Sequence, residues 1–346
     1  MLVVLSALPV SAEWNWPALV SPPTTIEIEA VRAEWSRRDL DPQSVRVIAT
    51  HELTVDGVAF TVRVIEFTLH RQREYVIAFI PPMAAKEDRL PVLVDIRDIR
   101  WDYPARRLDN GTTLLRALGE SARRVILAVP SFRGEVLELA GKRYVAEGDR
   151  RDAWDGATDD CIAALTAVHR AIPQSDPDRS VAYGGSRGGG VALLFGARDR
   201  RIRAVASNAG PVDWFSAMAR ANEPWIESIA RAWKDRTPRN DRAWQFCEWF
   251  LHDLGTTDIT AARQRILAGS AVYFVETMPA VLAQYGGRDM PVPVANAHRL
   301  QEALAKVAAP GEPPRTVIVH PKAGHQLDDT DALKRTVEFL LGEVQR

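Results

Sequence analysis

Ser180-Val181-Ala182-Tyr183-Gly184-Gly185-Ser186-Arg187-Gly188-Gly189-Gly190-Val191-Ala192-Leu193-Leu194-Phe195 is the stretch on which the fold turns. Residues 180–183 read as a strand, and a helical pattern opens at Arg187 and runs to Ala197. Between them lies Gly184-Gly185-Ser186-Arg187-Gly188, a G-x-S-x-G pattern. Its letters recur by chance; its place between strand and helix makes it informative. A serine in such a turn is held in strained backbone, and glycines at 184 and 188 let neighbouring backbone come close enough for Oγ to project outward. The helix N-terminus offers free N–H groups to a developing oxyanion, with the Arg187 amide as the first donor. The plainer alternative is a glycine-rich turn with a capping serine.

Around this stretch, apolar strands alternate with helices from residue 91 onward, which predicts a mostly parallel, doubly wound α/β sheet. Strands are expected at Val92–Ile96, Val125–Pro130, Ser180–Tyr183, Ile202–Ser207, Val281–Tyr285 and Thr316–His320. Helices are expected at Thr112–Ala122, Ala157–Ala171, Arg187–Ala197, Ala295–Val307 and Asp329–Val344. Residues 13–90 form a β-rich extension, with strands at Val45–Ala49, Ala59–Thr68 and Tyr75–Ile80 and Asp56-Gly57 as a hairpin turn. Residues 91–346 form the second unit, interrupted at 211–276 by a stretch too long for an ordinary connection. That stretch carries Trp214, Trp225, Trp233, Trp244 and Trp249, half of the ten tryptophans, and is expected to be a helical cap over the carboxyl ends of the strands.

A serine hydroxyl at its ordinary pKa is a poor nucleophile, so Ser186 needs a histidine base and an acid that orients it, in the chain order Ser, acid, His. Asp289 follows one strand in Gly286-Gly287-Arg288-Asp289, and His325 follows the next in Ala323-Gly324-His325. Three residue types thus fall in order at three strand ends. Among the rivals, His320 sits at the strand end itself, His298 on a helix face, and Asp328 and Asp329 at the start of the last helix, where they are expected to act as caps. The seven histidines show no paired metal-ligand spacing, so neither metal nor cofactor is expected.

Lys+Arg 44 against Asp+Glu 45 leaves a net charge of −1, which argues against nucleic acid or an anionic membrane as partner. Cys161 and Cys247 are read as two buried thiols, one disulfide between them being the alternative. The apolar run of residues 1–12, ending Val10-Ser11-Ala12, suits a signal peptide remnant cleaved before Glu13 and points to a periplasmic or secreted protein, with the cytoplasm as alternative.

With these residues assembled, the chain resembles the α/β-hydrolase superfamily and, more narrowly, the catalytic domain of the prolyl oligopeptidase family of serine peptidases. The resemblance spans about residue 91 to the end. It is carried by Val129-Pro130-Ser131-Phe132-Arg133-Gly134, the turn from Tyr183 to Gly190, Gly286-Gly287-Arg288-Asp289 with Val292-Pro293, Ala323-Gly324-His325, and Ser270-Ala271-Val272-Tyr273-Phe274. It implies Ser186 as nucleophile, Asp289 as acid and His325 as base. Where the family places a glycine-rich turn that supplies the second oxyanion donor, this chain has Asp95-Ile96-Arg97-Asp98-Ile99-Arg100-Trp101-Asp102-Tyr103. A backbone amide near Ile99 or Arg100, or the hydroxyl of Tyr103, is left for that role, in which one donor is worth about 3 kcal/mol. The residues before 91 are too few for the family's β-propeller at about 40–50 residues per blade, so size selection falls to the tryptophan-rich insertion. Arg187 and Arg133 suit a substrate carboxylate, though arginines so placed more often brace loops.

The expectation is therefore a serine hydrolase working through an acyl-enzyme, a peptidase on short peptides. A carboxylesterase or acyl esterase is the alternative, and a non-catalytic binding protein on a hydrolase scaffold the alternative from another class.

Overall fold

The computed structural model describes residues 15–85, 89–98, 105–219, 247–251, 258–328 and 330–345. Residues 1–12, Ile99, Arg100, Tyr103, Trp225, Trp233, Trp244 and Asp329, each singled out above, lie outside them.

Among the described residues nine strands form one sheet. In chain order they are β1 (Gln43–Val55), β2 (Val58–Leu69), β3 (Gln72–Ile80), β4 (Leu90–Ile96), β6 (Ile126–Pro130), β9 (Ser175–Gly185), β10 (Ile202–Asn208), β11 (Ala280–Gly286) and β12 (Arg315–His320). Their spatial order is β1-β2-β3-β6-β4-β9-β10-β11-β12. From β6 onward the neighbours are parallel, whereas β1, β2 and β3 are antiparallel and join through β3 against β6. The N-terminal strands thus extend the same sheet. A second small sheet joins β5 (Ala105–Arg107), β7 (Val136–Leu139) and β8 (Lys142–Val145).

Central strands such as β4, β6 and β11 read as near-continuous apolar runs because helices cover both faces. On one face Val92, Val94, Ile96, Ala182, Val205, Val281 and Ala283 share a core with α4 (Asp155–Ala171), α5 (Arg187–Arg198) and α8 (Ala295–Val307). On the other, Leu93, Val181, Ala204, Ala206 and Ala280 pack with α3 (Thr113–Leu118) and α9 (Ala332–Gln345). Successive residues of a strand go to opposite cores, the period of two that a pleated strand imposes. The doubly wound α/β-hydrolase fold is as expected.

One expected turn is in place, and several other elements depart from expectation. The Asp56-Gly57 turn is present, with positive φ at both residues and Val55 paired to Val58. A second two-residue turn of the same kind, His70-Arg71, uses no glycine. The segment before β1 also contains helices α1 (Trp16–Val20) and α2 (Thr25–Trp35). The second starts on a capping box in which Thr24 and Glu27 bond each other's backbone. The helix expected over Thr112–Ala122 stops at Gly119, whose φ of 53° breaks it, and continues as a 3-10 turn. The last helix begins at Ala332, later than Asp329: the Thr330 hydroxyl takes the Ala332 amide, and Asp331 pairs with Arg335.

Of the insertion, α6 (Trp214–Ala219), a π-helical turn (Cys247–Leu251), α7 (Ile259–Ala268) and a 3-10 turn (Ala271–Thr277) are described. Trp214 and Trp249 pack against Trp154 with ring centroids 4.8 Å and 4.5 Å away, so these two seat the insertion on the core. Arg263 of α7 donates to the carbonyls of Ala18, Leu19 and Ser21 and pairs with Glu27, tying the N-terminal helices to the insertion. Cys161 is a free, buried thiol. Among the described residues no helix is long and apolar enough to cross a membrane.

Candidate active site

In the sheet, the connection from β4 leads outward to β6 and the chain then returns to the other side of β4 as β9. Strand order reverses there, and open α/β sheets bind their ligands at such a reversal, outside the carboxyl ends. Ser186 follows β9 at that place.

Its backbone has φ 53° and ψ −126°, a region that costs a non-glycine residue about 1–3 kcal/mol and persists only when its surroundings impose it. They do. The Ser186 amide donates to the carbonyl of Asn208 on β10, 2.8 Å away. A Cβ on Gly184 would lie 2.0 Å from the Gly188 carbonyl oxygen, and one on Gly188 would lie 2.3 Å from that of Ile96. Both glycines are therefore required by close approach, whereas a Cβ on Gly185 would meet nothing nearer than 3.9 Å.

The structure brings the three expected residues together. His325 Nε2 is 2.9 Å from Ser186 Oγ, and His325 Nδ1 is 2.8 Å from Asp289 Oδ2. The Asp289 side chain is fully buried, and its other oxygen accepts the Val292 amide at 2.7 Å. An ionised carboxylate only accepts, so Nδ1 carries the proton toward Asp289, and Nε2 is left to accept the Ser186 hydroxyl. The acid and histidine loops are bound to each other. Arg288 donates its amide to the Ala323 carbonyl, and a Cβ on Gly286 would lie 2.3 Å from the Gly324 carbonyl oxygen. As a set, the groups have the geometry of an activated hydroxyl, a base and an orienting acid.

The rivals lie elsewhere. His320 Nε2 meets Gln284 Oε1 at 3.1 Å, within a buried polar group that includes Asn208 and Thr336. His298 and Asp328 are exposed. Among the described residues no three His, Cys, Asp or Glu side chains converge on a metal position.

Arg187 opens α5, so its amide has no intrahelical acceptor. Its side chain is 2% exposed and pairs with Glu135, Nη1 to Oε1 at 2.9 Å. Arg133 is spent on Asp160 and Asp152. Both arginines brace the protein. Two further residues here, Glu135 and Arg97, are ones that sequence reasoning missed. Arg97 follows β4, is buried, and has its guanidinium drawn down to about 10 by burial, with Arg106 and Arg187 adding repulsion against the pull of Glu135. The only available signal was a charged residue at the end of an otherwise apolar strand.

Residues 120–345 match the prolyl oligopeptidase family. No curated protein matches the sequence. Among solved structures, the chain is similar to acetyl xylan esterase 1 from Thermoanaerobacterium sp. JW/SL YS485, at 16% identity and TM-score 0.61 over 93% of this chain and 94% of that one. It is similar to an acetyl xylan esterase from Paenibacillus sp. R4, at 16% identity and TM-score 0.55 over 96% and 99%. It is also similar to the acylaminoacyl peptidase of Pyrococcus horikoshii, at 14% identity and TM-score 0.59 over 85% of this chain but 43% of that one.

Proposed function

Because the chain belongs to the prolyl oligopeptidase family, we propose that Ser186 is its nucleophile, His325 its general base and Asp289 the acid that orients the imidazole. The protein is a serine hydrolase, and the observation that carries the assignment of roles is the unbroken hydrogen-bonded chain from Asp289 through His325 to Ser186.

Ser186 Oγ attacks the acyl carbonyl carbon while His325 Nε2 takes its proton. The imidazolium is stabilised by buried Asp289. The carbonyl oxygen gains the charge, and the Arg187 amide at the head of α5 stands ready to donate to it. As the tetrahedral intermediate collapses, His325 returns the proton to the leaving group and an acyl-Ser186 ester remains. Water, deprotonated by the same imidazole, then releases the acid and regenerates the serine.

For the substrate we favour a short-acyl ester. Likeness to the two acetyl xylan esterases runs over nearly the whole of both chains, N-terminal strands included, whereas the peptidase is matched over less than half its length. Short peptides remain the second reading, on the family match. The test compares acetyl and butyryl p-nitrophenyl esters and an acetylated xylo-oligosaccharide with aminoacyl p-nitroanilides. Ester turnover without detectable anilide cleavage is expected. Anilide cleavage within about tenfold of the ester in kcat/KM would move the assignment to a peptidase.

A further inference from the structure

Arg187 has two parts with separate surroundings. Its amide belongs to the oxyanion pocket, and its side chain runs into the protein. There the guanidinium pairs with Glu135 at 2.9 Å, lies 4.6 Å from the centre of the Phe132 ring, and donates to the carbonyl of Asp98 at 3.4 Å. The other oxygen of Glu135 is 3.4 Å from Arg97 Nη1. That second contact lacks hydrogen-bond geometry, and among the described residues Arg97 Nε also finds no acceptor, so Arg97 is held there by charge. One half-buried carboxylate thus stands between a buried guanidinium on the serine turn and another at the end of β4.

The turn carries the Arg187 amide, the oxyanion donor proposed above, and β4 is the strand that ends beside it. They already touch, since Gly188 abuts the carbonyls of Ile96 and Arg97. A buried ion pair adds little net stability over apolar residues of the same size, because desolvation offsets most of the attraction. What it does supply is a fixed position.

We propose that the Arg187–Glu135–Arg97 bridge is the positioning device of the oxyanion pocket: Glu135, gripped from both sides, sets the distance between the serine turn and the end of β4 and so the direction of the Arg187 amide. The proposal rests on Ser186 being the nucleophile. Neither Glu135 nor the arginine side chains touch substrate; they act through the backbone they hold.

The test uses Arg187→Gln, Glu135→Gln and the double variant, each assayed per active site titrated with a fluorophosphonate. Each single variant is expected to lose at least about tenfold in kcat per titrated site, with KM within about threefold, since the loss falls on the transition state. The double variant is expected to recover at least about threefold in kcat over Glu135→Gln, because the two amides can bond each other and only Arg97 is left without its partner charge. A fall in titratable sites with unchanged kcat per site would make the bridge merely structural and overturn the proposal. So would a double variant no better than Glu135→Gln. If a single variant does not fold, Arg187→Lys carries the test, since an ammonium keeps the charge but loses the fork that reaches both Glu135 and Asp98. It should show at least about a fivefold lower kcat per site at unchanged KM, and wild-type kcat would overturn the proposal. Wild-type protein that takes up no probe would instead overturn the assignment of Ser186.

Discussion

Adding one methyl group at Gly188 should disable the site while leaving the protein folded. The Cβ of an alanine there would lie 2.3 Å from the carbonyl oxygen of Ile96, 2.7 Å from that of Arg97 and 2.9 Å from the Arg97 carbonyl carbon. All three are backbone atoms and cannot swing aside as a side chain would. To reach an ordinary contact of 3.4 Å, the serine turn and the end of β4 must separate by about 1.1 Å. A misplacement of about 1 Å costs on the order of 10²-fold in rate, and loss of one oxyanion donor costs a similar amount. Gly188→Ala should therefore lower kcat about a hundredfold, with an overpacking cost of about 1–3 kcal/mol in stability. Gly185→Ala is the control, since its Cβ would meet nothing nearer than 3.9 Å, and it should keep kcat within about twofold. The assay is steady-state ester hydrolysis with thermal unfolding measured on the same samples. A folded Gly188→Ala protein with kcat within about threefold of wild type would refute the claim that this contact sets the pocket.

Two further outcomes follow from the geometry. Asp289→Asn should keep the fold, since Asn Oδ1 still accepts the Val292 amide, but turn an N–H toward His325 Nδ1, force the proton onto Nε2, and lower kcat on the order of 10⁴-fold; a small loss would show that another group orients the imidazole. His169 is held down to about 4 by burial, reinforced by Arg201, so the unfolded chain binds the proton more readily between pH 4 and 6.5. Stability from this residue is complete above pH 6.5 and lost as the pH falls toward 4, by about 1 kcal/mol at pH 5 after allowing for its partial exposure. His169→Asn should lose correspondingly less stability between pH 7 and 5 in denaturant titrations, and equal losses in the two proteins would contradict the assignment.

Much of this was legible in the sequence because it depends on local pattern. The apolar strands and the helix at Ala295–Val307 are set by periodicity, and Ser186, Asp289 and His325 each fall directly after a strand, where the topology of a parallel sheet brings loops together. Helix α2 had a local signal, the Thr24 and Glu27 capping box, beside a prominent run of strands. The His70-Arg71 turn had none, since it places two residues other than glycine at positive φ under the constraint of strand pairing. Glu135 left no mark in the sequence, and Arg97 only that of a charge after an apolar strand. They lie 38 residues apart and far from Arg187, and only the order of β6, β4 and β9 puts them in contact.

The central claim, that Ser186 is the nucleophile, is tested most directly by reacting the protein with a fluorophosphonate and locating the adduct by peptide mass mapping. One adduct per chain on Ser186, abolished in Ser186→Ala and strongly slowed in His325→Ala, is the predicted result. A folded wild-type protein that takes up no probe, or carries it on another residue, would contradict it.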